Sequence, residues 1–122
     1  MTKPPVFSRA NTILYCQHWR ETVAFYQHLL KLPVTYTTDW FVEFQLTETA
    51  YLSVADERQT RLKSSHGTGL TLTLQVEDIE EAWFYLHSQG QQPEPIRRHS
   101  WGARVFYFYD PEGYRLEIWS ET

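Results

Sequence analysis

At 122 residues with a formal net charge of −4, the chain is long enough for one domain with a real core, and it carries no general excess of cations to grip a phosphate backbone, which excludes nucleic acid as an expected partner. A lone cysteine, Cys16, excludes an intrachain disulfide and a cysteine-cluster metal site; no run of about 18 apolar residues is present, and no apolar signal-peptide core follows Lys3, so no membrane partner and a cytoplasmic location are expected. Aromatic residues make up 16% of the chain, with five Trp, more than one core of this size readily hides, so some rings are expected to line a pocket or an interface.

In chain order, 10–16 predicts a strand with Asn11, Ile13 and Tyr15 on one face and Thr12, Leu14 and Cys16 on the other. Trp19, Val23, Tyr26 and Leu30, widened by Phe25 and Leu29, trace a helical stripe that ends before Pro33. Extended segments follow at 34–37, 40–46 and 50–54, and the polar stretch 56–69 reads as a loop. From Leu70 the order begins again. Leu70, Leu72, Leu74 and Val76 alternate with Thr71, Thr73 and Gln75; Asp78 and Glu81 then have N-cap and N3 spacing ahead of an apolar face of Ile79, Ala82, Trp83 and Leu86, and Gly90 suits the C-terminal cap. After a linker, 91–100, that carries a short strand, Val105 to Tyr109 and Tyr114 to Trp119 form a hairpin about Asp110, Pro111, Glu112 and Gly113, with φ > 0 expected at the glycine.

The two halves superpose as sequence. Asn11 to Cys16 lies over Thr71 to Val76, Glu21 over Glu81, Phe41 to Phe44 over Val105 to Phe108, and Ser53 over Glu117. The expected fold is α+β: one domain over 1–122 made of two βαβββ repeats, roughly 6–55 and 69–121, forming a curved mixed sheet around a cavity with helices on the outer face. Strand parity places Asn11, Ile13, Tyr15, Phe41, Glu43, Gln45, Tyr51 and Ser53 from the first repeat away from the helices. From the second it places Thr71, Thr73, Gln75, Tyr107, Tyr109, Arg115, Glu117 and Trp119 there. A sheet face that merely meets water has little use for so many rings, so this face is expected to bind.

The doubled module, the first helix with Phe25-Tyr26 and the closing pattern Trp101-Gly102-x-Arg104 followed by Asp110-Pro111-Glu112-Gly113-Tyr114-x-x-Glu117 resemble the vicinal oxygen chelate superfamily, which includes glyoxalase I, fosfomycin-resistance transferases, extradiol dioxygenases and bleomycin-resistance proteins. The likeness covers nearly the whole chain; one departure is Lys31, where such proteins often place glycine after the first helix. In metal-dependent members, ligands come from four symmetry-related strand positions, which fall here on Asn11, Ser53, Thr71 and Glu117. Glu117 alone is a good ligand, so no metal or other cofactor is expected. The resemblance is closest in character to the metal-free, bleomycin-resistance-like branch. It implies a homodimer that binds a flat aromatic small molecule, with a positive charge admissible, at Tyr15, Phe41, Glu43, Tyr51, Ser53, Trp101, Tyr107, Glu117 and Trp119. Arg104 is expected to pair with a carboxylate or to cap the loop rather than to touch ligand. The alternative is an enzyme, a glyoxalase-like lyase or isomerase or a dioxygenase, using a divalent metal at Glu117 with His66 or His99, or using Glu117 or Glu43 as a metal-free general base.

Overall fold

Both repeats are βαβββ units in the computed structural model, which describes residues 2–121. The first comprises β1 (Ala10–Cys16), α1 (Trp19–Ala24, continued by a π-helical turn over Phe25–Leu29), β2 (Val34–Thr37), β3 (Phe41–Gln45) and β4 (Ala50–Asp56). The second comprises β5 (Thr71–Gln75), α2 (Ile79–Ser88), β6 (Arg97–Arg98), β7 (Ala103–Tyr109) and β8 (Arg115–Glu121). Chain contacts divide the molecule into two units between Ser64 and Ser65, each holding one four-stranded mixed sheet, ordered β1-β4-β3-β2 and β5-β8-β7-β6. In each, the first and last strands of the unit pair in parallel and the remaining pairs are antiparallel. Among the described residues no helix is long and apolar enough to cross a membrane.

Strand register confirms the repeat. In the first unit Asn11 lies beside Tyr51 and Glu43 beside Ser53; in the second Thr71 lies beside Arg115 and Tyr107 beside Glu117. These are the positions that the sequence alignment equates, so each half sets its side chains by the same parity. On the helix side of the first sheet Leu14, Val42, Phe44, Leu52 and Val54 are buried. Above them α1 supplies Thr22, Phe25 and Tyr26. In the second, Leu72, Phe106, Phe108, Leu116 and Ile118 are buried with Ile79 and Leu86 of α2, whose first turn is capped by the Asp78 side chain accepting from the Glu81 amide at 3.0 Å. Two tryptophans anchor the helices: Trp19 Nε1 donates to the Val54 carbonyl and Trp83 Nε1 to the Glu94 carbonyl, both at 2.9 Å. Sequence patterning placed the fourth strand at 50–54, whereas β4 runs to Asp56 and is followed by a 3-10 turn, Glu57–Gln59. Asp56 stays buried there because Arg58 binds both of its carboxylate oxygens.

The end of the first helix has a geometry that its sequence does not suit. Leu30 N–H reaches back five residues to the Phe25 carbonyl, and Leu32 N–H bonds to the Tyr26 carbonyl, both at 3.1 Å. The wider turn rotates consecutive residues through a smaller angle, and adjacent Phe25 and Tyr26 both face the sheet, packed edge to face with centroids 5.0 Å apart. The chain then reverses through Lys31 at φ 56°. A side chain in this left-handed region costs roughly 1–2 kcal/mol, and glycine avoids most of it. Lys31→Gly is therefore expected to stabilise the protein by about 1 kcal/mol in urea denaturation, after the extra unfolded-state freedom of glycine is allowed for. A neutral or destabilising result would show that the lysine stem makes compensating contacts.

Candidate functional site

The faces turned away from the helices hold most of the residues expected to bind, and each half is built differently. On the first sheet, register sets Ile13 and Tyr15 of β1, Phe41 and Glu43 of β3, and Tyr51, Ser53 and Ala55 of β4 on one side. Ile13, Tyr15, Trp40, Phe41 and Ala55 line a pocket of about 180 Å³, completed from the following loop by Thr60, Arg61 and Leu62. Trp40 meets Phe41 edge to face at 5.6 Å, and Tyr36 meets it at 6.3 Å. Tyr15 and Phe41 were expected at a binding surface. Trp40 and the loop residues were not, because alternation along 40–46 gave Trp40 the opposite parity to Phe41, and 60–62 fall within the polar loop; the signal that marks the loop is Leu62, a large apolar side chain, 62% exposed, in an otherwise polar stretch.

Glu43 is held by two partners, one on each carboxylate oxygen. Arg9 Nη2 donates to its Oε2 at 2.7 Å, and Thr35 Oγ1 donates to its Oε1 at 2.8 Å. A bulge in β2 between Val34 and Tyr36 brings Thr35 to this place. The Arg9 guanidinium also lies 3.9 Å above the Tyr51 ring centroid. These bonds, that from Arg9 foremost, hold the Glu43 carboxyl below its ordinary range, so at neutral pH it is an ionised carboxylate already matched by a cation. It is poorly suited to take a proton as a base. Ser53, fully buried, donates to Asn11 Oδ1 at 3.0 Å.

On the second sheet Glu117 of β8 lies directly beside Tyr107 of β7 and Thr73 of β5. Burial and then the negative charge of Glu117 push the Tyr107 hydroxyl up, so Tyr107 keeps its proton and is hydrogen-bonded to Glu117. Arg115 stacks 4.5 Å from the Tyr107 ring centroid, and its Nε donates to Thr71 Oγ1 at 3.0 Å. Trp119 packs edge to face on Trp101 at 5.7 Å, and Trp101, 61% exposed, also meets His99 at 5.8 Å. Arg104 pairs with both carboxylate oxygens of Glu80 at the start of α2, at 3.0 and 2.7 Å. His66 Nδ1 lies 3.6 Å from Glu112 Oε2.

Residues 9–118, nearly the whole chain, match the family model of the Glyoxalase/Bleomycin resistance protein/Dioxygenase superfamily. The chain belongs to this superfamily. It is 27% identical over 119 positions to the uncharacterized protein YraH of Bacillus subtilis (strain 168), covering 87% of this chain and 92% of that one. Among solved structures, a lactoylglutathione lyase from Agrobacterium tumefaciens superposes with a TM-score of 0.78 at 18% identity, covering 97% of this chain and 96% of the other. A glyoxalase/bleomycin resistance protein/dioxygenase from Nocardioides gives 0.78 at 19% identity, covering 99% and 86%. At such identities the likeness is one of fold.

The superfamily's metal-ligand positions can be tested by what occupies them. In the first half Asn11 and Ser53 offer neutral oxygens already bonded to each other. In the second, Thr71 accepts from the Arg115 guanidinium, so a cation already occupies that position, and Glu117 supplies the one carboxylate. Neutral, engaged oxygens and a bound cation do not fit a divalent ion, which takes carboxylate or imidazole donors. His66 faces Glu112 and His99 faces Trp101, and among the described residues no three His, Cys, Asp or Glu side chains converge.

Proposed function

We propose that the protein binds an aromatic small molecule without a metal, in the manner of the bleomycin-resistance-like branch, and that it acts by sequestration. The observation that carries this reading is the pocket of Ile13, Tyr15, Trp40, Phe41 and Leu62. Drug-sized ligands occupy roughly 300–1,000 Å³. A pocket of about 180 Å³ therefore takes a ring system while the remainder of the ligand lies outside it. Three rings and two aliphatic side chains supply stacking and apolar contact and no nucleophile. The Trp101 and Trp119 pair, with Tyr107 and Glu117, gives the second half an aromatic surface of its own. A homodimer and a cytoplasmic location belong to the same proposal.

Isothermal titration with a panel of bicyclic aromatic compounds tests it. Saturable one-to-one binding is expected, unchanged after exhaustive chelation, and weakened about tenfold or more by Phe41→Ala or Leu62→Asp; the latter alters an exposed position and leaves folding intact. Binding that needs a stoichiometric metal, with the metal lost in Glu117→Ala, would overturn the reading in favour of a metal enzyme.

A further inference from the structure

The charge at the rim of this same pocket selects among aromatic ligands. Of the arginines in the first half, Arg9 is matched by Glu43 at 2.7 Å and Arg58 by Asp56 at 2.7 Å. Arg61, which lines the pocket beside Leu62, has no hydrogen bond or ion pair among the described residues. Its position is nonetheless fixed by the loop around it. Lys63 Nζ donates to the carbonyls of Glu57 at 2.6 Å and Thr60 at 2.8 Å, Thr60 Oγ1 donates to the Leu62 carbonyl at 2.6 Å, and Ser64 N–H donates to Glu57 Oε1 at 3.0 Å. These bonds tie 57–64 into a closed loop that presents Arg61 and Leu62 together. The carboxylate on the same sheet face, Glu43, already has its cation.

From this juxtaposition we infer that the ligand is an aromatic anion: a ring seated among Ile13, Trp40 and Phe41, with a carboxylate or comparable anionic group paired to Arg61. The inference rests on the aromatic-binding reading above and sharpens it, replacing the admissible positive charge with a negative one. A planar guanidinium offers a carboxylate two parallel N–H donors, a geometry that an ammonium lacks. The net charge of −4 opposes an anion only at long range, since exposed charges are screened beyond about 8 Å at physiological salt. At the pocket mouth the local cation decides.

The test uses three probes of one shape, 2-naphthoate, 2-naphthamide and 2-naphthylmethylammonium, titrated calorimetrically into the full-length protein at low and physiological salt. The naphthoate is expected to bind about tenfold more tightly than the amide or the ammonium, and its advantage should shrink as salt rises. Arg61→Gln, at an exposed position, should bring the naphthoate down to the level of the amide and leave the amide unchanged, while Arg61→Lys should keep part of the difference. If the amide or the ammonium binds as tightly as the naphthoate, the anionic assignment fails and the aromatic reading survives. If none of the three binds saturably, both fail. If the naphthoate is preferred but Arg61→Gln does not reduce that preference, the anion is recognised elsewhere and the assignment of Arg61 is overturned.

Discussion

Gly67→Ala is expected to destabilise the protein by about 3 kcal/mol or more, through a collision of backbone with backbone. A Cβ at Gly67 would lie 1.9 Å from the Gly113 carbonyl oxygen and 2.5 Å from its carbon, and one at Gly113 would lie 2.8 Å from the His66 carbonyl oxygen. No side chain can swing aside, because both partners are main chain. The turn that holds Gly113 is itself fixed: Asp110 Oδ1 accepts from the amides of Glu112 at 3.0 Å and Tyr114 at 2.9 Å, and the Gly113 amide donates to the Asp110 carbonyl at 3.0 Å. Relief therefore requires the loop before β5 to lift from the hairpin. Gly69 is the control. Its φ is +80°, close to the +89° of Gly67, but a Cβ there meets nothing within 4 Å, so Gly69→Ala should cost only the roughly 1–2 kcal/mol of left-handed backbone. Urea denaturation of the two variants side by side decides the matter; equal losses would mean that the close approach is not maintained in solution.

Phe44→Ala should cost about 3–5 kcal/mol, a large part of the 5–15 kcal/mol that holds a typical domain folded. The Phe44 ring is fully buried, lies 6.1 Å from the equally buried Tyr26 ring, and sits on β3, which has paired strands on both sides. Few mobile groups are near enough to fill the space. Phe44→Leu keeps most of the volume and should cost about 1–2 kcal/mol. Thermal and denaturant unfolding, with circular dichroism to confirm the remaining fold, measure both. A loss below about 1 kcal/mol for the alanine variant would mean that α1 collapses onto the vacancy and that its packing is less specific than the ring geometry implies.

What the sequence made legible was whatever depends on periodicity and short range. Alternation set the faces of β1, β5 and β8, and Asp78 with Glu81 located the start of α2, because neighbours along the chain determine both. The turn at Asp110 to Gly113 was readable for the same reason. Two sorts of feature were not. The π-helical turn at Phe25–Leu29 differs from an α-helix only in which carbonyl each amide reaches, and no residue type in that stretch marks the change. The charge balance of the site depends on partners far apart in sequence: Arg9 and Glu43 are separated by 34 residues, and Thr71 and Arg115 by 44. Parity correctly put Glu43 and Glu117 on the open faces but could not tell that one is clasped by an arginine while the other is bonded to a tyrosine. Family positions likewise located Asn11, Ser53 and Thr71 without showing that each oxygen already has a partner.

The bulge at Thr35 has an effect beyond holding Glu43. β2 is one of the two edge strands of its sheet, only four residues long, all of them exposed, and it includes Tyr36 at 57% exposure. A flat edge of that composition would offer an unfilled row of amides and carbonyls to any extended chain that met it. Thr35 breaks that row, and Pro33 immediately before the strand has no N–H to donate. An incoming strand could make too few consecutive bonds to settle, so the outer edge of β2 is protected from templating runaway β-assembly by the same residue that steadies a carboxylate on the face.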